Sequence, residues 1–239
     1  MPNNLVIPPS FSPTARRTRL KQLAALGWLA PAGISGLIRE VLAKGNVPVV
    51  NGINSLDGNA TVNGKPAKVG TPLRPGDTVS TASGSTAVLV IGKDGFLLRG
   101  GTSVTFQQSN TKRGLVDRVL VATGKVLAVF ATRSETLTIT VPNATVGIRG
   151  TGCYLEIFDA RTYFCLCYGE ATVDGAGMAQ ARVLKTTHHE NPVWLDDRGG
   201  VMKVEIADFV NHTDDELIML EKLNGRVPPF VALGLTGRY

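Results

Sequence analysis

The sequence lacks the short motifs that mark the common catalytic sites. It contains no Gly-x-Ser-x-Gly, no phosphate-binding loop and no His-Glu-x-x-His. Its carboxylates offer no pair that can be placed together, since Asp174, Asp196 and Asp197 all stand in turn-like polar contexts. We therefore expect a protein that is not an enzyme and has no catalytic residues.

Charged residues are also scarce, at 18% of the 239 residues against 43% hydrophobic residues. That balance is typical of a globular chain with a sizeable core. The net charge of +6 is concentrated near the N-terminus, in Arg16, Arg17, Arg19 and Lys21. The remaining sequence has no basic stripe interleaved with aromatic residues, so we expect no nucleic-acid partner.

An uncharged, largely apolar stretch from Gln22 to Ile38 follows this basic cluster. A positive region before an apolar one is the pattern of an export signal, and Arg16-Arg17 resembles a twin-arginine signal. We assign residues 1–43 to this signal or to an anchor. The assignment predicts a periplasmic or otherwise exported protein that meets the membrane only through its N-terminal segment.

The sequence leaves open whether this segment is cleaved. Small residues at offsets suited to cleavage end at Ala32 and again at Ala43. An uncleaved anchor in the inner membrane is a further alternative, as is an amphipathic helix at the front of a cytosolic protein.

Residues 44–210 lack any stretch that keeps a helical period for three turns. Apolar and polar residues alternate there in short runs separated by turn residues, which predicts strands. Asn63-Gly64 lies between two such runs and predicts a hairpin. We predict an all-β fold, a jelly-roll-like sandwich or barrel of short antiparallel strands.

The last part of the chain, residues 211–239, predicts one C-terminal helix and a tail. Thr213 and Glu216 have the spacing of a capping box, and Gly225 is a natural helix stop. The helix should run from Asp214 to Asn224, with mostly apolar side chains on one face, and should cover an edge or an end of the sheets.

Several stretches of the β region resemble the FecR-type domain family. They are GNATVNGKPA, GDTVST, GSTAVLV, TGKVLAVF, VPNATVGIRGT and YGEATV, in the order and spacing of that family. The most telling pieces contain Gly76 and Asp77, and then Arg149, Gly150 and Thr151. The resemblance covers about residues 52–173 and implies an exported, non-enzymatic sensing or interaction domain. The best-known members sense an iron–siderophore signal at the cell envelope and control a partner sigma factor.

Regulatory members of the family carry a cytoplasmic region before the membrane span. Only about twenty residues precede Gln22 here, too few for a folded domain. We therefore carry over the fold and the export but not the sigma-factor contact. For Arg149, the alternatives are a salt bridge inside the fold and contact with an anionic ligand or partner.

The three cysteines cluster around a second predicted hairpin, which turns at residues 159–162. Because side chains alternate along a strand, Cys165 and Cys167 share a face. Symmetric pairing across the turn places Cys165 opposite Glu156 and Cys153 on the other face. A bulge near Gly152 would bring Cys153 across.

Two histidines follow on the predicted extension after about residue 173. Pairing across the next turn places Thr186 beside Cys165 and His188 one diagonal step from it, within reach of a long side chain. His189 should then point to the other face, because neighbouring side chains alternate.

This arrangement leaves three interpretations of the thiols. Cys153, Cys165, Cys167 and His188 form a recognised four-coordinate set for zinc, and soft sulfur also suits copper as Cu(I). A disulfide from Cys153 to either other cysteine, or redox-active thiols, is the second interpretation. Simple packing is the third.

The sequence leaves two functional hypotheses. The first is an exported FecR-like module that recognises an envelope protein or a small ligand. The second is a metal-binding or thiol-redox envelope protein that uses the same fold.

Overall fold

The computed structural model of the protein describes residues 33–44, 49–108 and 116–237. We number the helices α1 Gly33–Lys44, α2 Asp214–Leu223 and α3 Pro229–Ala232. The strands are β1 Gly52–Asp57, β2 Ala60–Val62, β3 Lys65–Pro66, β4 Thr78–Thr81, β5 Thr86–Ile91, β6 Asp94–Leu98, β7 Ser103–Gln107, β8 Arg118–Thr123, β9 Lys125–Val129, β10 Leu137–Val141, β11 Ala144–Ile148, β12 Gly152–Phe158, β13 Arg161–Gly175, β14 Arg182–Thr186, β15 Val193–Asp196 and β16 Lys203–Ile206. The prediction of an all-β fold with a C-terminal helix is confirmed.

The strands form one curled sheet that the long strand β13 divides into two halves. The N-terminal part of β13 pairs with β12 and β15, in a first half-sheet with β1, β5, β6, β9 and β16. Its C-terminal part pairs with β11 and β14, in a second half-sheet with β2, β3, β4, β7, β8 and β10. All pairs are antiparallel except β8 with β10.

The main core lies between the two half-sheets. Alternate residues of β5 face it, including Ala87 and Leu89, and the aromatic rings of Phe96 and Phe106 meet there at 4.9 Å between centroids. The residues between them, such as Val88 and Val90, face the opposite way and are also buried. The first half-sheet is therefore apolar on both faces, and its outer face needs a cover.

The three helices of the described residues provide that cover, and we call them together the helical layer. α2 has the predicted capping box, with Thr213 Oγ1 accepting from the Glu216 backbone and Glu216 accepting from the Thr213 backbone. Leu217 and Leu220 of α2 pack on the outer face of the first half-sheet together with Leu37 and Val41 of α1. This second apolar cluster encloses Cys165 and Cys167.

The helix α1 falls within the predicted export segment. It packs against α2, β1 and β5, and Val41 is fully buried. Among the described helices, none combines the length and apolar character needed to cross a membrane. Arg16 and Arg17 of the predicted twin-arginine signal lie outside the described residues.

The family-motif residues take structural positions. Gly76 has a φ of +101°, which favours glycine, and Asp77 accepts hydrogen bonds from Arg74 N and Asn63 Nδ2, each at 2.7 Å. These bonds tie the β2–β3 hairpin to the turn before β4.

The second family motif contains Arg149, Gly150 and Thr151. Gly150 has a φ of +71° and lies against Thr132, while Thr151 is buried. Arg149 is exposed and donates to Thr136 Oγ1 at 3.1 Å. Of the two alternatives for Arg149, the salt bridge inside the fold does not match this surface position.

Candidate metal centre

Strand β13 places the two thiols of Cys165 and Cys167 on the outer face of the first half-sheet, as alternation predicts. The pairing register differs from the predicted one. The β12–β13 turn consists of two residues rather than four, so Cys165 lies opposite Tyr154 instead of Glu156. A shift of two positions keeps each side chain on its face, which is why the face prediction survives the register error.

Cys153 is not brought to the other thiols. A register shift does occur between Gly152 and Cys153, but Cys153 stays on the inner face, fully buried in the main core. All three cysteines are free thiols. The structure therefore excludes Cys153 from the cluster, and with it the interpretation of a disulfide to Cys165 or Cys167.

The paired histidines His188 and His189 lie at other positions than the sequence predicted. Strand β14 ends at Thr186, which lies opposite Gly169 rather than beside Cys165. His189 then adopts a φ of +56°, uncommon for a residue with a side chain and often found at functional sites. The strand alternation is lost there, and both His188 and His189 are buried.

His189 and His188 consequently exchange their predicted positions. His189 Nδ1 lies 3.5 Å from Cys165 Sγ, and its backbone N–H donates to Cys167 O at 3.0 Å. His188 Nε2 instead lies 2.8 Å from Asp214 Oδ1, at the start of α2. The expectation that His189 faces away is therefore wrong.

The fourth member of the cluster is His212, which was not predicted from the sequence. Its Nε2 lies 3.4 Å from Cys167 Sγ and 3.2 Å from His189 Nδ1. It comes from the segment just before α2 and is 3% exposed. One signal was available, because the chain has only three histidines and His212 adjoins the predicted cap of a helix that should cover the sheet.

The distances fit one small ion. The four donor atoms of Cys165, Cys167, His189 and His212 lie within 4.8 Å of one another. A tetrahedral ion with metal–sulfur bonds of ~2.3 Å and metal–nitrogen bonds of ~2.0–2.1 Å holds a sulfur and a nitrogen ~3.5 Å apart and two nitrogens ~3.3 Å apart. The separations of 3.5, 3.4 and 3.2 Å in this cluster agree with those values.

The partners of the other ring nitrogens orient both imidazoles for coordination. His212 Nδ1 lies 2.8 Å from Val210 O, which can only accept, so that nitrogen carries the proton. His189 Nε2 lies 3.4 Å from Asp214 Oδ1, an ion-pair distance at which the carboxylate favours a proton on that nitrogen. With both protons on those outer nitrogens, His212 Nε2 and His189 Nδ1 present lone pairs to each other across 3.2 Å, an arrangement that a shared cation stabilises.

The thiols are also suited to a cation. A hydrogen bond from Cys167, with further contributions from His189 and His212, lowers the pKa of Cys165 well below its usual range. Burial and the neighbouring Cys165 raise the pKa of Cys167. A thiolate is the form of cysteine that binds metals.

Aromatic rings close the site from solvent. Tyr154 stacks on His212 with ring centroids 4.7 Å apart, Phe209 meets His189 at 4.8 Å, and Phe230 lies over His188 at 4.5 Å. All four donor residues are buried. Four protein ligands in a closed setting are typical of structural zinc sites, whereas catalytic sites keep an open position.

Comparisons with known proteins find distant likenesses only. One crystal structure at 2.50 Å of a "putative anti-sigma factor from Parabacteroides distasonis ATCC 8503" is 15% identical with a TM-score of 0.44, over 55% of this chain and 60% of that one. A second, at 1.65 Å and described in the same words, is 14% identical with a TM-score of 0.45, over 62% and 74%. The chain thus spans about three fifths of the length of the first.

No protein-family model and no curated protein matches the chain. The resemblance to the FecR-type family therefore stays a prediction. Likenesses this distant carry no argument about function, which has to come from the Cys165, Cys167, His189 and His212 cluster.

Proposed function

We propose that this protein is a non-enzymatic envelope module whose β domain binds one zinc ion through Cys165, Cys167, His189 and His212. The observation that supports it is the cluster itself, four buried donors within 4.8 Å whose separations fit a tetrahedral ion. Cys153 and His188, which the sequence suggested as ligands, have no place in this set.

Zinc is the ion that this donor set favours. Two thiolates and two imidazoles in tetrahedral geometry are a common zinc environment. The two positive charges of Zn²⁺ balance two thiolates, whereas Cu(I) would leave a net negative charge among apolar side chains, which is costly. Copper is therefore an alternative outcome of the test.

Metal analysis of the full chain, purified without a histidine tag, tests the proposal. We expect one zinc per chain, and cobalt substitution should give the visible bands of a tetrahedral thiolate site. Cys165→Ser should abolish binding, since a hydroxyl is a far poorer ligand for soft metals. Cys153→Ser is the matched control, a buried thiol on the other face that should leave binding intact.

Metal-free protein that takes up neither zinc nor cobalt, with three titratable thiols, would refute the metal-binding function. A stoichiometric copper content in protein isolated from its host would instead assign the site to copper.

The envelope location is the second element of the proposal. It is supported by the basic cluster before an apolar stretch and by the resemblance to an exported family, and it implies an envelope protein or a small ligand as the partner. A reporter fused to the C-terminus should be exported, and changing Arg16 and Arg17 to Lys should retain it. A reporter that stays in the cytosol with the native sequence would contradict this location.

A further inference from the structure

The four donors come from three separate segments of the chain. Cys165 and Cys167 belong to β13, His189 to the connection between β14 and β15, and His212 to the residues just before α2. A bound ion would therefore connect the first half-sheet to the helical layer.

The contacts around His212 extend this connection into α2. His212 adjoins Thr213, the N-cap of the helix. Asp214, the first residue of α2, approaches His188 and His189 with one oxygen and accepts from Gly237 N at 2.9 Å with the other. The start of α2 and the C-terminal tail are thus both organised by groups that touch the cluster.

The helix α1 in turn depends on α2. Its buried residues Leu37 and Val41 lie in the apolar cluster that also contains Leu217 and Leu220 of α2. A displaced α2 would expose these side chains and remove much of the apolar surface on which α1 lies. α1 itself lies at the end of the predicted export or anchor segment.

We propose that the metal ion acts as a latch for the helical layer: bound, it holds α2 and the tail on the sheet, and α2 holds α1. Loss of the ion replaces its bonds to the four donors by weak thiol–imidazole hydrogen bonds, because metal binding supplies free energy only to the structure that it organises. The ion pair of Arg99 with Glu216 and the apolar contacts of α2 then have to hold the layer without the ion. The helices then detach from the half-sheet, while the main core stays folded. This inference rests on the proposed zinc site. It adds that the availability of zinc controls whether α1 is docked on the domain.

Hydrogen–deuterium exchange of the full chain, with zinc and after chelation, tests the latch. We expect chelation to accelerate exchange in α1 and α2 and to leave β10 and β11 of the second half-sheet unchanged. Zinc bound at one per chain with no change in α1 would overturn the latch but not the zinc site. Equal acceleration throughout the chain would also overturn it, because the ion would then support the whole fold.

Linkage gives a second, independent test. If zinc favours docked α1, docked α1 must favour zinc by the same factor. Val41→Asp places a charge at a buried position of α1 that supplies no donor atom. It should weaken zinc affinity about 5- to 150-fold, the usual range of such couplings. Ala43→Asp, exposed on the same helix, is the matched control and should bind zinc as the native chain does.

The measurement is competition with a chromophoric chelator, with exchange in α1 recorded on the same samples. The coupling is refuted if α1 of the Val41→Asp protein exchanges rapidly but this protein binds zinc as tightly as the Ala43→Asp protein. Failure of zinc to bind any of the three proteins would refute the zinc site itself.

Discussion

His212 Nε2 lies 3.4 Å from Cys167 Sγ, although 45 residues separate the two in the chain. The contact joins the residue before α2 to the middle of β13, across the boundary between the helical layer and the sheet. The two thiols and His189 supply three metal donors, and His212 supplies the fourth.

The first prediction separates the histidines. His212→Ala should abolish stoichiometric zinc binding, because it removes one of four ligands. His188→Ala should keep one zinc per chain, since His188 faces Asp214. Cobalt titration followed by visible absorption measures both. Equal binding by the two variants would contradict the assigned ligands.

The second prediction concerns the carboxylate behind His189. Asp214→Asn should weaken zinc affinity about 10- to 100-fold while preserving the stoichiometry, the usual effect of removing a group that orients a ligand. Asp215→Asn changes the same helix turn, but its side chain is exposed and should have no such effect. Chelator competition gives the two affinities. Comparable losses in both variants would mean that the charge near the helix start matters, not the contact with His189.

The third prediction concerns the family motif. A methyl group on Gly150 would meet Thr132 Cα at 2.7 Å, in addition to the strain of a φ of +71°. Gly150→Ala should therefore lower the free energy of unfolding by more than about 1 kcal/mol. Gly64→Ala is the control, with a φ of +75° but open space, so it isolates the backbone cost. Urea denaturation measures the difference, and equal losses would show that the contact with Thr132 is unimportant.

The fourth prediction concerns processing of the export segment. Cleavage after Ala43 would remove Leu37 and Val41 from the apolar cluster, whereas cleavage after Ala32 would leave α1 whole. We therefore expect an exported, processed chain to begin at Gly33. The intact mass of the exported protein measures this, and a mature chain beginning at Lys44 would contradict it.

Local patterns in the sequence determined a substantial part of this structure. The alternation of β13 put Cys165 and Cys167 on one face, and pairing across the β12–β13 turn put Cys153 on the other. Asn63-Gly64 predicted the β2–β3 hairpin, where both residues have positive φ, and the capping box at Thr213 predicted the start of α2. Each of these depends on interactions within a few residues, which the sequence states directly.

The tertiary structure decided which residues meet. Turn lengths around β13 set the register, and a two-residue turn in place of four changed the partner of Cys165 without changing its face. The left-handed conformation of His189 overrode strand alternation. His212 joined the cluster only because α2 packs over the first half-sheet. That packing depends on apolar surface gathered from α1, α2 and the sheet, so the fourth ligand could not be read from the residues around it.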